Sequence, residues 1–176
     1  MAACGSGPRL AQDVTVAVVT VRDGRLLCVE EHVDDGRSSG GRAIPPATVD
    51  PADTGKRLVL NQPAGHLEPG ESLIEAAVRE TREESGWNVC ITALVGIHQW
   101  TSPTRSVHYL RFAFAAEALD PIPGAVLDQG IERALWMLPE ELRSQSHRHR
   151  SPLVWRAVAD FLGGSRYPLS LLHAFP

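Results

Sequence analysis

Three glutamates within five residues, on a stretch that reads as a short helix, constrain this 176-residue chain more than any other feature. The stretch runs from Gly65 to Trp87 and contains Glu80, Glu83 and Glu84. Pro69-Gly70 predicts a turn, because proline presets φ and glycine accepts positive φ. Ser72 with Glu75 three residues on is a capping box, so a helix starts there. Gly86 suits the position after a helix end, which puts the end near Ser85. Ile74, Ala77, Val78 and Thr81 fall on one face and predict contact with a core. Glu80, Glu83 and Glu84 fall on a neighbouring face, and Arg79 lies one turn from Glu83. Glu80 and Glu84 are like charges at i, i+4, which costs a few tenths of a kcal/mol in an isolated helix. Two readings remain at this point. A hard divalent cation with oxygen ligands offsets the repulsion, or the face is solvated and laced with internal salt bridges.

The spacing of the whole string decides between them. Gly65, Glu71, Arg79-Glu80, Glu83-Glu84 and Gly86 fill every fixed position of a pattern that resembles the box of the Nudix hydrolase family. Thr81 and Trp87 stand where that pattern usually carries aliphatic residues. The resemblance implies a Nudix-type α/β/α sandwich around a mixed β-sheet and hydrolysis of a diphosphate linkage with Mg²⁺ or Mn²⁺. It implies metal ligation by Glu80, Glu83 and Glu84, with Arg79 orienting these carboxylates. Glu71 matches the supporting carboxylate, and Gly65 the glycine that lets the loop come close to the metal.

Outside the box, composition is globular: 43% hydrophobic and 22% charged, with a net charge of −4. That balance argues against binding a nucleic-acid polymer, which calls for a basic face. The three cysteines, Cys4, Cys28 and Cys90, have neither zinc spacing nor a disulfide framework, and Cys28 reads as a small core residue. No apolar run has the length of a membrane span. Residues 1–12 read as a loose start without a signal peptide, and the expectation is a cytoplasmic monomer or homodimer.

Residues 13–169 read as one domain. Asp13–Val21 has apolar residues at both parities and predicts a central strand. Asp23-Gly24 predicts a hairpin into a strand over Arg25–Glu31. Val33–Lys56 carries Gly-Gly and Pro-Pro and reads as a loop insertion at a hairpin-like edge, with Arg37, Arg42, Lys56 and Arg57 as secondary candidates for contact with a substrate phosphate. Strands follow at Arg57–Gln62, Asn88–Trp100, His108–Ala116 and Ile131–Met137, with a loop over Leu119–Gly130. Helices are expected after Leu138-Pro139 and after Ser151-Pro152, the latter ending at Gly163-Gly164. The basic run Arg143, His147, Arg148, His149 and Arg150 reads as cations at a helix end and in an exposed loop.

The resemblance extends to Asn61–Glu68, His98-Gln99-Trp100, Leu110-Arg111-Phe112, Arg150–Val154 and Arg166–Leu169. In that order these segments are similar to the NudJ-type bacterial phosphatases of the family. That subgroup implies phosphate release from nucleoside tri- and diphosphates and from hydroxymethylpyrimidine and thiamine pyrophosphates. Glu83 is the favoured general base, and Glu132 is the candidate outside the box. His98, Gln99, Trp100, Tyr109 and Arg111 are the candidate substrate-binding residues, for ring stacking, polar edges and phosphate oxygens. The competing readings are a pyrophosphohydrolase of ADP-ribose or dinucleoside polyphosphates, and a non-catalytic nucleotide-binding regulatory module.

Overall fold

A computed structural model describes residues 11–34, 56–103 and 107–175. Its chain order is β1 (Ala11–Arg22), β2 (Arg25–Asp34), β3 (Lys56–Asn61), β4 (Ala64–His66), α1 (Leu73–Ser85), β5 (Trp87–Thr101), β6 (Val107–Pro121), β7 (Ile131–Met137), α2 (Pro139–Ser144) and α3 (Leu153–Leu162). The expected insertion is shorter at both ends, since β2 carries through Val33 and Asp34 and β3 begins at Lys56. The rest of it, with Arg37 and Arg42, lies outside the described residues, as do residues 1–10 of the expected loose start. The expected loop at Leu119 starts later, because β6 continues to Pro121.

β1 is the strand around which the mixed sheet is laid out. It runs parallel to β6 from Ala11 to Val21, and β6 pairs antiparallel with β5. On its other edge β1 meets β2 at only two positions beside the turn, Val21 with Leu26 and Arg22 with Arg25. Asp23 and Gly24 both have positive φ, 50° and 73°, the hairpin geometry that an Asp-Gly pair favours. Past the turn the two strands part. β1 takes β4 at Thr15–Ala17, while β2 takes β3 on one edge and β7 on the other. The candidate site lies in this divergence.

Helices cover both faces because β1 is apolar at both parities. Val16 and Val18 point to the side where Ala76 and Ala77 of α1 pack with Leu94 and Phe114. Val19 points to the other side, with Cys28, Val95, Ala113 and the α3 residues Val154, Ala157 and Val158. Cys28 is fully buried, and burial pushes its thiol up to about 12. Among the described residues no helix is long and apolar enough to cross a membrane.

The box helix forms for the reasons its sequence states. Glu75 N–H donates to Ser72 Oγ at 3.2 Å, and Ser72 N–H donates to Glu75 Oε2 at 2.8 Å. Gly86, at φ 69°, closes the helix through its N–H to Arg82 O at 2.9 Å. Thr81 is buried at an aliphatic position of the box because its hydroxyl donates to Ala77 O at 2.8 Å. Trp87 meets Trp136 edge-on, with ring centroids 5.3 Å apart. Ser72→Ala removes the cap acceptor, and urea unfolding is expected to show a loss of about 1 kcal/mol.

Candidate active site

Arg79 organises the carboxylates of α1. Its Nε donates to Glu71 Oε2 at 2.9 Å and its Nη2 to Glu71 Oε1 at 2.7 Å, a bidentate pair. Its Nη1 donates to Glu80 Oε1 at 2.8 Å and to Glu83 Oε2 at 3.1 Å. Nη2 also donates to the His66 carbonyl at 3.0 Å, which ties the helix to β4. The hydrogen bonds from Arg79 hold the Glu71 carboxyl below the usual carboxylate range.

Glu80 and Glu84 are turned inward and buried. Burial pushes the Glu80 carboxyl up, against the pull of Arg79. Glu84 is pushed up to about 9, first by burial and then by repulsion from Glu31, Glu80 and Asp128; the Ala64 N–H, donating to Glu84 Oε2 at 2.8 Å, opposes this. Gly65 lies against this layer. A Cβ at that position would stand 2.0 Å from Glu80 Oε1, so only glycine leaves the carboxylate where it is.

A cavity of about 620 Å³ opens beside these groups. One wall is acidic: Glu80, Glu83 and Glu84 from α1, Glu31 from β2, and Asp128 from the loop before β7. Arg111 from β6 and Arg150 from the turn before α3 line the same cavity, Arg150 next to Glu31. Trp100 and Tyr109 line it as a stacked pair, ring centroids 5.6 Å apart and planes 18° apart. Arg111 is buried, and its Nη1 has no hydrogen-bond partner. Burial lowers it to about 10, while Glu31 and Glu84 favour its charge.

The donor set fits a hard divalent cation. The acidic wall presents carboxylate oxygens, the ligands such ions take. Two of those carboxyls are destabilised as anions, which a bound cation reverses. Among the described residues no three acidic, histidine or cysteine groups already converge in one coordination sphere. Arg79 holds Glu80 and Glu83 instead.

Three expected site residues lie elsewhere. Glu132 is exposed on β7 and bonds His32 Nε2 at 3.0 Å; it falls at a bulge, where Glu30 pairs with Arg133 and Glu31 with Ile131, and it does not line the cavity. His98 packs on Asp160 of α3 at 2.9 Å, joining β5 to the helix behind the sheet. Gln99, next to it, faces solvent. Neither lines the cavity; Trp100 does.

The basic run after α2 is more than a set of helix-end cations. Arg148 and Arg133 both bond the buried Glu30, and these bonds outweigh burial and keep its carboxyl below the usual range. Arg150 lines the cavity, 3.8 Å from Glu31 Oε1. Glu31 and Asp128 were not singled out in the sequence. The adjacent pair Glu30-Glu31, after the apolar run Leu26–Val29, is a signal, since alternation sends the two carboxylates to opposite faces.

A family model described as the NUDIX domain matches residues 11–156. The phosphatase NudJ of Escherichia coli (strain K12) is 36% identical over 162 residues, 92% of this chain and 91% of the relative. The structure of a NUDIX hydrolase from Nitrosomonas europaea is 40% identical and covers 93% of this chain and 97% of that one, with a TM-score of 0.77. An ADP-ribose pyrophosphatase from Streptococcus suis is only 12% identical, covers 88% of this chain and 95% of that one, and shares the fold with a TM-score of 0.58.

The raised carboxyls make a stability prediction. A Glu84 pKa lifted from 4.5 to about 9 favours the folded state only while the group is protonated. Its contribution is complete below about 4.5 and is lost as pH rises toward about 9. In the presence of a chelator, the urea midpoint is expected to fall across that range, and Glu84→Gln to flatten the fall.

Proposed function

The chain belongs to the Nudix family and is a hydrolase of phosphorus-containing anhydrides, and on that premise we propose that it releases phosphate from nucleoside tri- and diphosphates and from thiamine-type pyrophosphates. Nudix hydrolases generally use divalent metals, and the proposed ion is Mg²⁺ or Mn²⁺, held by Glu80, Glu83 and Glu84. The observation that carries this reading is the mixed lining of the cavity, where buried carboxylates share one space with Arg111, Arg150 and a stacked aromatic pair. A phosphate chain is an anion that the arginines attract and the carboxylates repel. When bound, a divalent cation supplies the neutralising charge and the activation of water.

The protein's own groups take the remaining tasks. Arg79 holds Glu71, Glu80 and Glu83 in fixed positions, so the acidic wall is ordered before substrate arrives. Glu83 is the proposed base. Its side chain is 33% exposed against 11% for Glu80, so water reaches it while Arg79 keeps its orientation. Trp100 and Tyr109 offer a flat surface for a base or pyrimidine ring. The likeness to the phosphatase NudJ supports phosphate as the product.

Glu83→Gln is expected to lower turnover by orders of magnitude and leave the thermal melt in place; a near-wild-type rate removes Glu83 from the mechanism. With Mg²⁺ and wild-type protein, ATP is expected to give orthophosphate and ADP, then AMP, when products are resolved by chromatography. AMP with pyrophosphate as the first products overturns the phosphate-release reading while leaving the family chemistry intact.

A further inference from the structure

Arg111 differs from the other arginines around the site. Arg79 is saturated by carboxylates, and Arg133 and Arg148 are bonded to Glu30. Arg150 stands 3.8 Å from Glu31. Arg111 lines the same cavity, is only 7% exposed, and has no ion pair among the described residues. Its Nε reaches Thr15 Oγ1 at 3.5 Å, and its buried Nη1 bonds nothing. A buried donor without a partner is costly, and this one belongs to a planar fork suited to two oxygens of a phosphate.

The position of Arg111 says which phosphate. Tyr109, Arg111 and Ala113 follow one another on the same face of β6. Tyr109 is half-buried beside Trp100, Arg111 is nearly buried, and Ala113 is fully buried in the core packed by α3. Burial therefore deepens along this face from the aromatic pair to Arg111, and core lies beyond it, so a chain that enters past the aromatic pair and reaches Arg111 meets it at the deep end of that face. Thr15, opposite Arg111 on β1, is buried as well and closes that side.

We propose that Arg111 is the specificity-determining residue for a free phosphate end: its unpartnered fork receives the terminal, uncapped phosphate of the substrate, so the enzyme favours phosphate chains open at one end over chains capped at both. This rests on the reading of the cavity as a phosphate-chain site. It assigns the substrate class to one residue at the deep end of the β6 face, instead of to the box, whose carboxylates meet any diphosphate alike.

The test compares two non-hydrolysable ligands that differ only in the cap, the α,β-methylene analogues of ADP and of ADP-ribose, by calorimetry on the full chain with Mg²⁺. Wild type is expected to bind the ADP analogue roughly tenfold to a hundredfold more tightly, the range for a hydrogen-bonded charge. Arg111→Met is expected to weaken the ADP analogue by that factor, leave the ADP-ribose analogue nearly unchanged, and so abolish the preference. No preference in wild type, an equal loss of both ligands in the variant, or a preference that survives in it overturns the proposal. Where the thermal melt shows that Arg111→Met does not fold, Arg111→Lys decides: it keeps the charge and loses the fork, so a narrowed preference supports the assignment and an unchanged one overturns it. Failure of the phosphate-release reading is seen separately, in the nucleotide products of the wild-type enzyme.

Discussion

One guanidinium holds the site together. Arg79 donates to Glu71, Glu80, Glu83 and the His66 carbonyl, so four acceptors from three segments meet on a single planar cation. Three glutamates crowded on one helix repel each other, and without this cation Glu80 and Glu83 would swing apart into water. Arg79 fixes them, and through His66 it also fixes β4 against the helix. That contact brings Gly65 close enough to Glu80 that no side chain fits between them. The close approach in turn lets Ala64 N–H reach Glu84. The box glutamates of the acidic wall are therefore set by a charge network inside the box, while Glu31 and Asp128 are brought to it by β2 and the loop before β7.

The second constraint is the divided sheet. β1 leaves β2 just past the hairpin, because each strand takes another partner on the edge they would otherwise share. α1 lies on one side of the sheet and α3 on the other. The opening lets carboxylates from the α1 side and arginines from the α3 side line one cavity. In an unbroken sheet they would face opposite layers and never share a ligand. The two sets of charges are also held differently. Glu80 and Glu83 are neutralised in place by Arg79, whereas Arg111 keeps an unbonded donor. The carboxylates suit a cation supplied from solution, and the arginines suit an anion supplied by substrate.

The box and the rest of the cavity lining are set by different features of the chain. The box chemistry depends on local spacing along one helix, and the rest of the lining depends on which strands face the opening.

Spacing alone determined the box helix, its cap, its end at Gly86 and the grouping of its glutamates, because these depend on contacts three and four residues apart. Apolar residues at both parities determined β1 as a strand covered on both faces, and alternation determined the shared face of Tyr109 and Arg111, because pleating has a period of two. The partners of those faces were decided only in three dimensions. His98 and Trp100 have the same parity on β5, yet one is taken by Asp160 and the other lines the cavity. Glu30 and Glu31 are neighbours, yet one is bonded by Arg133 and Arg148 and the other faces the site. Glu132 sits on a sheet strand as expected, and the pairing of β7 with β2 turns it to His32. Local periodicity states which face a residue occupies. Which layer covers that face, and where the covering stops, depends on contacts between residues a hundred positions apart, and only the tertiary structure carries that information.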